Sequence, residues 1–345
     1  MTNHFLMEDL ENIKKSKALF SELEGKTVYV TGATGLIGSL LVRALLSLEY
    51  NIKIIALVRN IDKAKEIFKN EYAKVRWIKG DILSSLIYDE KVDYIFHCAS
   101  VTTSKTMIER PVETIMTAIQ GTKNVLELAK IKNVKSMVYV SSMEMYGSFN
   151  NHFSEIYEND SGYLNPLEVR SNYPESKRMC ENLCIAYLSE YKVPVKIARL
   201  AQVFGAGVLK GENRVFAQFA RSVIKEEDIV LHTKGKSEGN YCYSRDAIKA
   251  LLLLLLKGNE GEAYNIVNPN SHITIAEMAQ MVCDNIAKGK IKVRYDIPSS
   301  NQYGYATDTK MKLSADKMMR LGWKPEVGLQ ESYERLIGSL KCDEA

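Results

Sequence analysis

Tyr173 and Lys177 stand four residues apart in the run Tyr173-Pro174-Glu175-Ser176-Lys177, a spacing that puts both on one face of a helix, one turn from each other. Tyrosine is a poor base at neutral pH, because its ordinary pKa is near ~10. An ammonium held beside it disfavours the protonated phenol, and the phenolate becomes usable as a proton acceptor. Such a pair suits removal of a hydroxyl proton while a hydride leaves the same carbon. The spacing is also common on solvated helix faces, so other elements of the chain have to supply a hydride acceptor and a crevice.

The first of these elements is Lys26-Thr27-Val28-Tyr29-Val30-Thr31, a short β-branched run, followed at once by Gly32-Ala33-Thr34-Gly35-Leu36-Ile37-Gly38. An amphipathic helix is expected from Ser39 to Leu48. Strand, glycine loop and helix in that order are the context a dinucleotide-binding motif requires. The glycines let the backbone turn tightly and approach a pyrophosphate, which rests on the positive end of the helix dipole. A second strand, Lys53 to Val58, ends in Arg59-Asn60. An acid at this place would bind the ribose hydroxyls of NAD; Arg59 instead fits the 2′-phosphate of NADP, or stacks on the adenine, so NAD or NADP stays open. A third strand, Val75 to Ile82, carries Asp81 where it meets an adenine amino group, and a fourth, Asp93 to Ser100, ends in the small residues Cys98, Ala99 and Ser100.

A helical stretch from about Arg110 to Lys132 leads to a fifth strand, Ser136 to Ser141, and then to Ser141-Ser142-Met143-Glu144-Met145-Tyr146-Gly147. Strands alternating with helices at this spacing predict a parallel, doubly wound sheet, with ligands at the carboxyl ends of its strands. The fifth strand therefore delivers a hydroxyl and a carboxylate into the crevice. A sixth strand, Val193 to Leu200, closes this half. Beyond it, short strands (Ile229 to His232, Ala263 to Ile266, Ile291 to Tyr295) alternate with helices starting near Arg214, Thr274 and Ser314. That half reads as a smaller α/β domain closing over the crevice.

The 345 residues have an ordinary globular composition, 46% hydrophobic and 26% charged, with room for one large or two smaller domains. Net charge is +4, which gives no reason to expect a nucleic acid partner. The six cysteines show no CxxC pair and no zinc spacing, so no metal is expected, and they read as reduced thiols in a cytoplasmic protein. No signal peptide is evident. The longest apolar run, Ala250 to Leu256, is too short to span a bilayer and reads as a buried helix. Residues 5 to 23 carry leucines and isoleucine at near-helical spacing and predict an extra helix lying on the following domain, or serving a partner.

With these residues in place the chain resembles the extended short-chain dehydrogenase/reductase family, in its nucleotide-sugar epimerase/dehydratase branch. The matching motifs are TGATGLIG, the GDI at Gly80 to Ile82, HCAS, the GT at Gly121-Thr122, SSMEMYG, YPESK and ARLAQVFGAG, in the family's order from about Gly25 to Gly207. The resemblance implies a Rossmann-type α/β fold: an N-terminal extension over 1–24, a dinucleotide-binding domain over 25–204 and mainly a substrate-binding domain over 205–345, some segments of which return to the first. It implies cofactor contacts from Gly32, Thr34, Gly35, Leu36, Ile37, Gly38, Arg59, Asp81, Ile82, Cys98, Ala99, Ser100, Tyr173 and Lys177. Tyr173 would take the sugar 4-hydroxyl proton as hydride passes to the nicotinamide. Lys177 would hold the nicotinamide ribose and lower the phenol pKa, and Ser142 would hydrogen-bond the same hydroxyl. The substrate, a nucleotide-diphosphate sugar, would meet Thr102, Met143, Gln202, Val215 and Arg245. A homodimer is implied through the helices at about 110–132 and 174–191, the second offering Met179, Leu183, Ala186 and Tyr187 to an interface or to the core.

Glu144 occupies the place where the family's 4,6-dehydratases and UDP-glucuronate decarboxylases carry a Glu. Once C4 is a ketone, the C5 proton is acidic and a carboxylate is a suitable base; the bland alternative is a carboxylate capping a loop. Three departures bear on the substrate. Met143 stands where the dehydratases use a proton donor, Gln202 replaces an Asn that contacts the diphosphate, and Gly239 replaces an Arg. Arg214, Arg221 or Arg245 could supply the missing charge. The leading expectation is a dehydratase/epimerase-type enzyme working through a transient 4-keto sugar. The alternatives are a UDP-glucuronate-type decarboxylase, a net NADP-dependent reductase or dehydrogenase, and a non-catalytic binding protein on the same fold.

Overall fold

Thr27–Thr31 (β1), Lys53–Val58 (β2), Arg76–Lys79 (β3), Tyr94–His97 (β4), Ser136–Ser142 (β5) and Val195–Leu200 (β6) are the strands, rich in β-branched and aromatic residues, of a computed structural model. The described residues are 3–86, 88–149, 155–209, 211–298 and 309–344. The outermost ends of the 1–24 and 205–345 segments, and residues 299–308 within the second, thus lie outside the described residues.

The six strands and Ala263–Ile266 form one seven-stranded sheet, in the order 263–266, β6, β5, β4, β1, β2, β3. Every pairing in it is parallel. A parallel sheet needs both faces covered, and both are. Val28, Val30, Ile54, Ala56 and Val138 point into one core, shared with the helices Leu36–Ser47 and Ser244–Lys257. Their alternates Tyr29, Ile55, Met137, Tyr139 and Ile197 point into the other, under the helices Pro111–Lys132 and Asn172–Tyr191. The leucine-rich run is buried from Ala250 to Leu255, as its all-round apolar character predicts. Each fully buried leucine contributes roughly 1.5–3 kcal/mol of transfer free energy.

Ala263–Ile266 is a strand as expected, and it pairs with β6, Ala263 opposite Ile197 and Ile266 opposite Leu200. The rest of the C-terminal half keeps a core of its own, built on Phe204, Phe216, Phe219, Tyr241, Tyr333 and Leu336. Short strands pair within it: Ile229–Leu231 with Val293–Tyr295, and Gln202–Phe204 with Tyr241–Tyr243.

The N-terminal stretch is a helix, His4–Lys15, followed by a kinked 3-10 segment, Lys17–Leu23. Its buried face, Leu6, Leu10 and Ile13, packs on the helices Leu36–Ser47, Ser244–Lys257 and Leu329–Glu344, so the chain itself covers the apolar side. Asp9 is only 3% exposed on that face. It accepts from the Tyr243 hydroxyl at 2.6 Å and from Arg335 at 2.9 Å.

All six cysteines are free thiols. Among the described residues no helix is long and apolar enough to cross a membrane.

Candidate active site

The glycine loop is shaped by contacts that leave no room for side chains. Gly32 sits at φ +68°, in the left-handed region, and a Cβ there would lie 2.7 Å from the Ala99 nitrogen at the end of β4. A Cβ on Gly38 would fall 2.2 Å from the Gly32 carbonyl oxygen. The first turn of the helix Leu36–Ser47 thus folds directly onto the loop. Gly35 caps that helix without a side-chain hydrogen bond, which leaves its N-terminal amide groups for an anion. Thr31, at the end of β1, takes the Ala99 amide at 3.1 Å and the ring of His97 at 2.9 Å. His97 reaches Thr122 with its other nitrogen, at 3.1 Å, and burial drops its pKa to about 3, so a neutral imidazole spaces β4 from the helix Pro111–Lys132.

The residues of this edge fit a dinucleotide. Thr34, Leu36 and Ile37 complete the loop; Asp81 and Ile82 follow β3; Cys98, Ala99 and Ser100 follow β4; and all line one cleft with Gly32, Gly35 and Gly38. The Asp81 carboxylate also accepts the Leu83 amide at 2.9 Å, which fixes the turn that presents it. Arg59 lies exposed on the cleft after β2, with no hydrogen bond or ion pair among the described residues.

The cleft encloses about 2440 Å³ and continues from the glycine loop past Ser142, Met143, Glu144, Tyr173 and Lys177 to the C-terminal half. Ser142 ends β5 and caps the short turn Met143–Tyr146, its hydroxyl oxygen accepting the Glu144 amide at 3.2 Å. The helix Asn172–Tyr191 begins at the same edge, with Tyr173 in its first turn. Its seat is fixed by a buried ion pair, Arg199 on β6 to Glu181, at 2.7 Å. Ser141 on β5 also donates to Glu181, and Arg199 extends the network to the Tyr146 hydroxyl at 3.0 Å. Losing Arg199 or Glu181 would leave a buried unpaired charge.

Lys177 is 3% exposed; its ammonium donates to the Val140 carbonyl at 2.8 Å and lies 5.7 Å from the centre of the Tyr173 ring. The ammonium expected to lower the phenol pKa is not among the groups that shift it. Burial pushes Tyr173 well above its ordinary value, Glu144 adds to the rise, and Ser142, Arg170 and Arg214 oppose it. Burial also lowers the Lys177 pKa. Desolvation is the larger effect because both groups lie deep beside the sheet.

The cleft's further wall carries Gln202 and Val215, while Thr102 is exposed on it near β4. Of the three arginines weighed for the charge missing at Gly239, Arg214 alone lines the cleft, paired with Glu212 at 2.6 Å. Arg221 is spent on the loop, donating to the Glu212 carbonyl at 2.7 Å. Arg245, expected at the substrate, is turned away. It lies outside the cleft lining, against Asp9 at 3.4 Å and Glu326 at 3.2 Å, because the N-terminal helix offers it a buried carboxylate. Around Gly239 itself a Cβ would meet nothing within 4 Å.

One cleft residue escaped the sequence reading. Arg170, in the 3-10 turn Val169–Ser171 just before the helix, donates to Glu144 at 2.9 Å and holds its guanidinium carbon 6.0 Å from the Tyr173 ring centre. A cation three residues ahead of a candidate base was the available signal. Glu144 is a half-buried carboxylate lining the cleft, ion-paired to Arg170.

Residues 28–267 match the model of the NAD dependent epimerase/dehydratase family. UDP-glucuronic acid decarboxylase 3 of Arabidopsis thaliana is 30% identical over 307 residues, 88% of this chain and 86% of the relative. The dTDP-D-glucose 4,6-dehydratase of Homo sapiens is 27% identical over 330 residues, 90% of this chain and 89% of the relative. Among solved structures, an epimerase of Methanothermobacter thermautotrophicus superposes with a TM-score of 0.80 at 23% identity, covering 95% of each chain. The UDP-glucose 4-epimerase of Thermotoga maritima superposes with a TM-score of 0.79 at 21% identity, over 92% of this chain and all of that one (100%). A matched model spanning most of the sequence, a Rossmann sheet and a glycine cradle at its carboxyl edge agree: the chain belongs to the NAD-dependent epimerase/dehydratase family of enzymes.

Proposed function

We propose that the protein oxidises the 4-hydroxyl of a nucleotide-diphosphate sugar to a transient ketone and completes its reaction at C4 or C5 before the cofactor is restored. The observation that carries this reading is that Ser142, Glu144, Tyr173 and Lys177 line the same cleft as the glycine loop. Bound NAD or NADP would accept hydride from C4. Gly32, Gly35 and Gly38 would hold the pyrophosphate through backbone amides, and Asp81 would meet the adenine.

Tyr173 Oη takes the 4-hydroxyl proton, and Ser142 donates a hydrogen bond that favours the phenolate. Lys177, anchored on Val140, orients the ribose that it would meet. Burial raises the phenol pKa while Arg170 and Arg214 pull it down, so positive charge brought close to Tyr173 favours its use as a base. Glu144 lines the cleft beside Tyr173 and suits removal of the C5 proton once C4 is a ketone. Met143 cannot donate a proton, which weighs against elimination of a 6-hydroxyl. Gln202 and Arg214 are the groups suited to the diphosphate.

The helices Pro111–Lys132 and Asn172–Tyr191 leave Val112, Met116 and Met179 exposed at 71%, 47% and 53%, which supports a homodimer through this pair. Tyr187 is instead core, its hydroxyl on Glu127, while Ala186 is exposed and Leu183 half-buried. Six free thiols fit the reducing environment of the cytoplasm.

Mass spectrometry of small molecules carried by the purified protein, then incubation with UDP-, GDP-, CDP- and dTDP-sugars, tests the reading. A bound pyridine nucleotide and one altered sugar without net cofactor consumption are expected. Stoichiometric consumption would favour the net reductase, for which exposed Arg59 is the observation. Neither cofactor uptake nor an altered sugar would end the proposal.

A further inference from the structure

Arg170 has a place in the cleft that loop architecture does not require. Its side chain is 27% exposed, and the bond to Glu144 engages one of five guanidinium N–H donors. Among the described residues the other donors have no hydrogen-bond partner. On the reading above, C4 of the sugar lies against Tyr173, so C5 and its C6 substituent lie one and two bonds further on. A guanidinium 6.0 Å from the Tyr173 ring and 2.9 Å from Glu144 is within reach of that substituent.

The chemistry of the substituent follows from its neighbours. A neutral hydroxymethyl group would compensate a partly desolvated guanidinium poorly, whereas a carboxylate meets its planar fork with two charge-assisted hydrogen bonds. Met143 on the same turn offers a 6-hydroxyl no proton donor. The cleft adds Arg214 as a second cation near Tyr173. We propose that Arg170 is a specificity-determining residue that receives a C6 carboxylate, and that the substrate is a nucleotide-linked hexuronate. This rests on the assignment of Tyr173 to C4.

Substrate binding then exchanges one anion for another at Arg170, with Glu144 giving up part of its ion pair as the substrate carboxylate arrives. That exchange also frees Glu144 to approach C5. The residue is thus a selector of substrate and a restraint on a neighbouring carboxylate.

The test uses the full-length protein loaded with NAD and two matched pairs: UDP-glucuronate with UDP-glucose, and dTDP-glucuronate with dTDP-glucose. Dissociation constants come from calorimetry, and kcat/KM from product analysis, for the parent, Arg170→Lys and Arg170→Met. The parent is expected to favour the uronate of one pair by about 10- to 100-fold, the worth of a hydrogen-bonded charge pair. Arg170→Met should collapse the ratio toward one through KM and the dissociation constant, and Arg170→Lys should restore part of it. Taking ratios cancels any damage common to both sugars, and the parent's preference stands as a test even if a variant folds poorly. Equal use of both sugars by the parent, or an unchanged ratio in Arg170→Met, overturns the proposal. No binding or turnover of any of the four sugars would instead overturn the C4-oxidation reading beneath it.

Discussion

Lys177 holds its ammonium 5.7 Å from the centre of the Tyr173 ring while donating to the Val140 carbonyl, so the fifth strand, and not the phenol, fixes where the lysine charge sits. The two side chains are therefore separable. Tyr173→Phe should lower kcat by about 10²- to 10⁴-fold, the usual worth of a positioned base, with the melting temperature nearly unchanged. Lys177→Met should lose activity and also weaken pyridine nucleotide binding, measured by fluorescence titration. Full activity in Tyr173→Phe would return the chain to the class of binding proteins on this fold.

Gly38→Ala tests the glycine cradle. The added methyl would sit 2.2 Å from the Gly32 carbonyl oxygen, so the loop or the helix must shift. Dinucleotide affinity should fall at least tenfold, because the amides that would meet the pyrophosphate move with the helix. Gly239→Ala, whose Cβ meets nothing within 4 Å, is the control expected to leave cofactor affinity intact. Calorimetric titration with NAD and NADP reads both variants.

Asp9 gives the protein a pH-dependent N-terminal attachment. Burial raises its pKa from 3.8 to about 6, outweighing Tyr243, Arg335 and Arg245, which pull it down. The native state therefore favours the protonated carboxyl. That stability is fully present below pH 3.8 and is lost as pH rises through about 6. Asp9→Asn stays neutral throughout, so relative to the parent it should gain stability from pH 4 to pH 7, by up to about 3 kcal/mol. Melting temperatures of both proteins across that range decide it; a constant difference would contradict the assignment.

The exposed methionines of the paired helices predict an assembly. Met116→Glu combined with Met179→Glu should convert a dimer into monomers in sedimentation experiments, with the fold retained. A parent protein that is monomeric at micromolar concentration would remove the proposal.

Local signals account for most of what the sequence made legible. β-branched runs and the glycine loop are short-range features, and β1 and β2 stand where those features place them, while the helix expected from Ser39 begins earlier, at Leu36 within the glycine loop. Ala263–Ile266 was legible as a strand, but which sheet it joins depends on docking against Ile197 to Leu200, 66 positions earlier in the chain, rather than on its own pattern; the structure pairs it with β6. Arg245 was misjudged because charge in a sequence has no direction, and a buried Asp9 on a distant helix claims it. Tyr173 and Lys177 were legible as one helix face, but not the burial that raises the phenol pKa and lowers that of the ammonium, since desolvation of both groups is a property of packing. Arg170 was overlooked for the opposite reason: it is near Tyr173 in sequence, but only the turn Val169–Ser171 aims it at Glu144.

The pairing of Ala263–Ile266 with β6 means that the chain weaves out of the nucleotide half and back again. A fragment stopping at Phe204 would expose an unsatisfied edge of β6 and strip away the leucine-rich helix Ser244–Lys257 that roofs one side of the sheet. Such a piece should aggregate when expressed alone. Anyone wishing to trade sugar preference between relatives must therefore transplant individual loops, since no single scissor point yields two exchangeable modules.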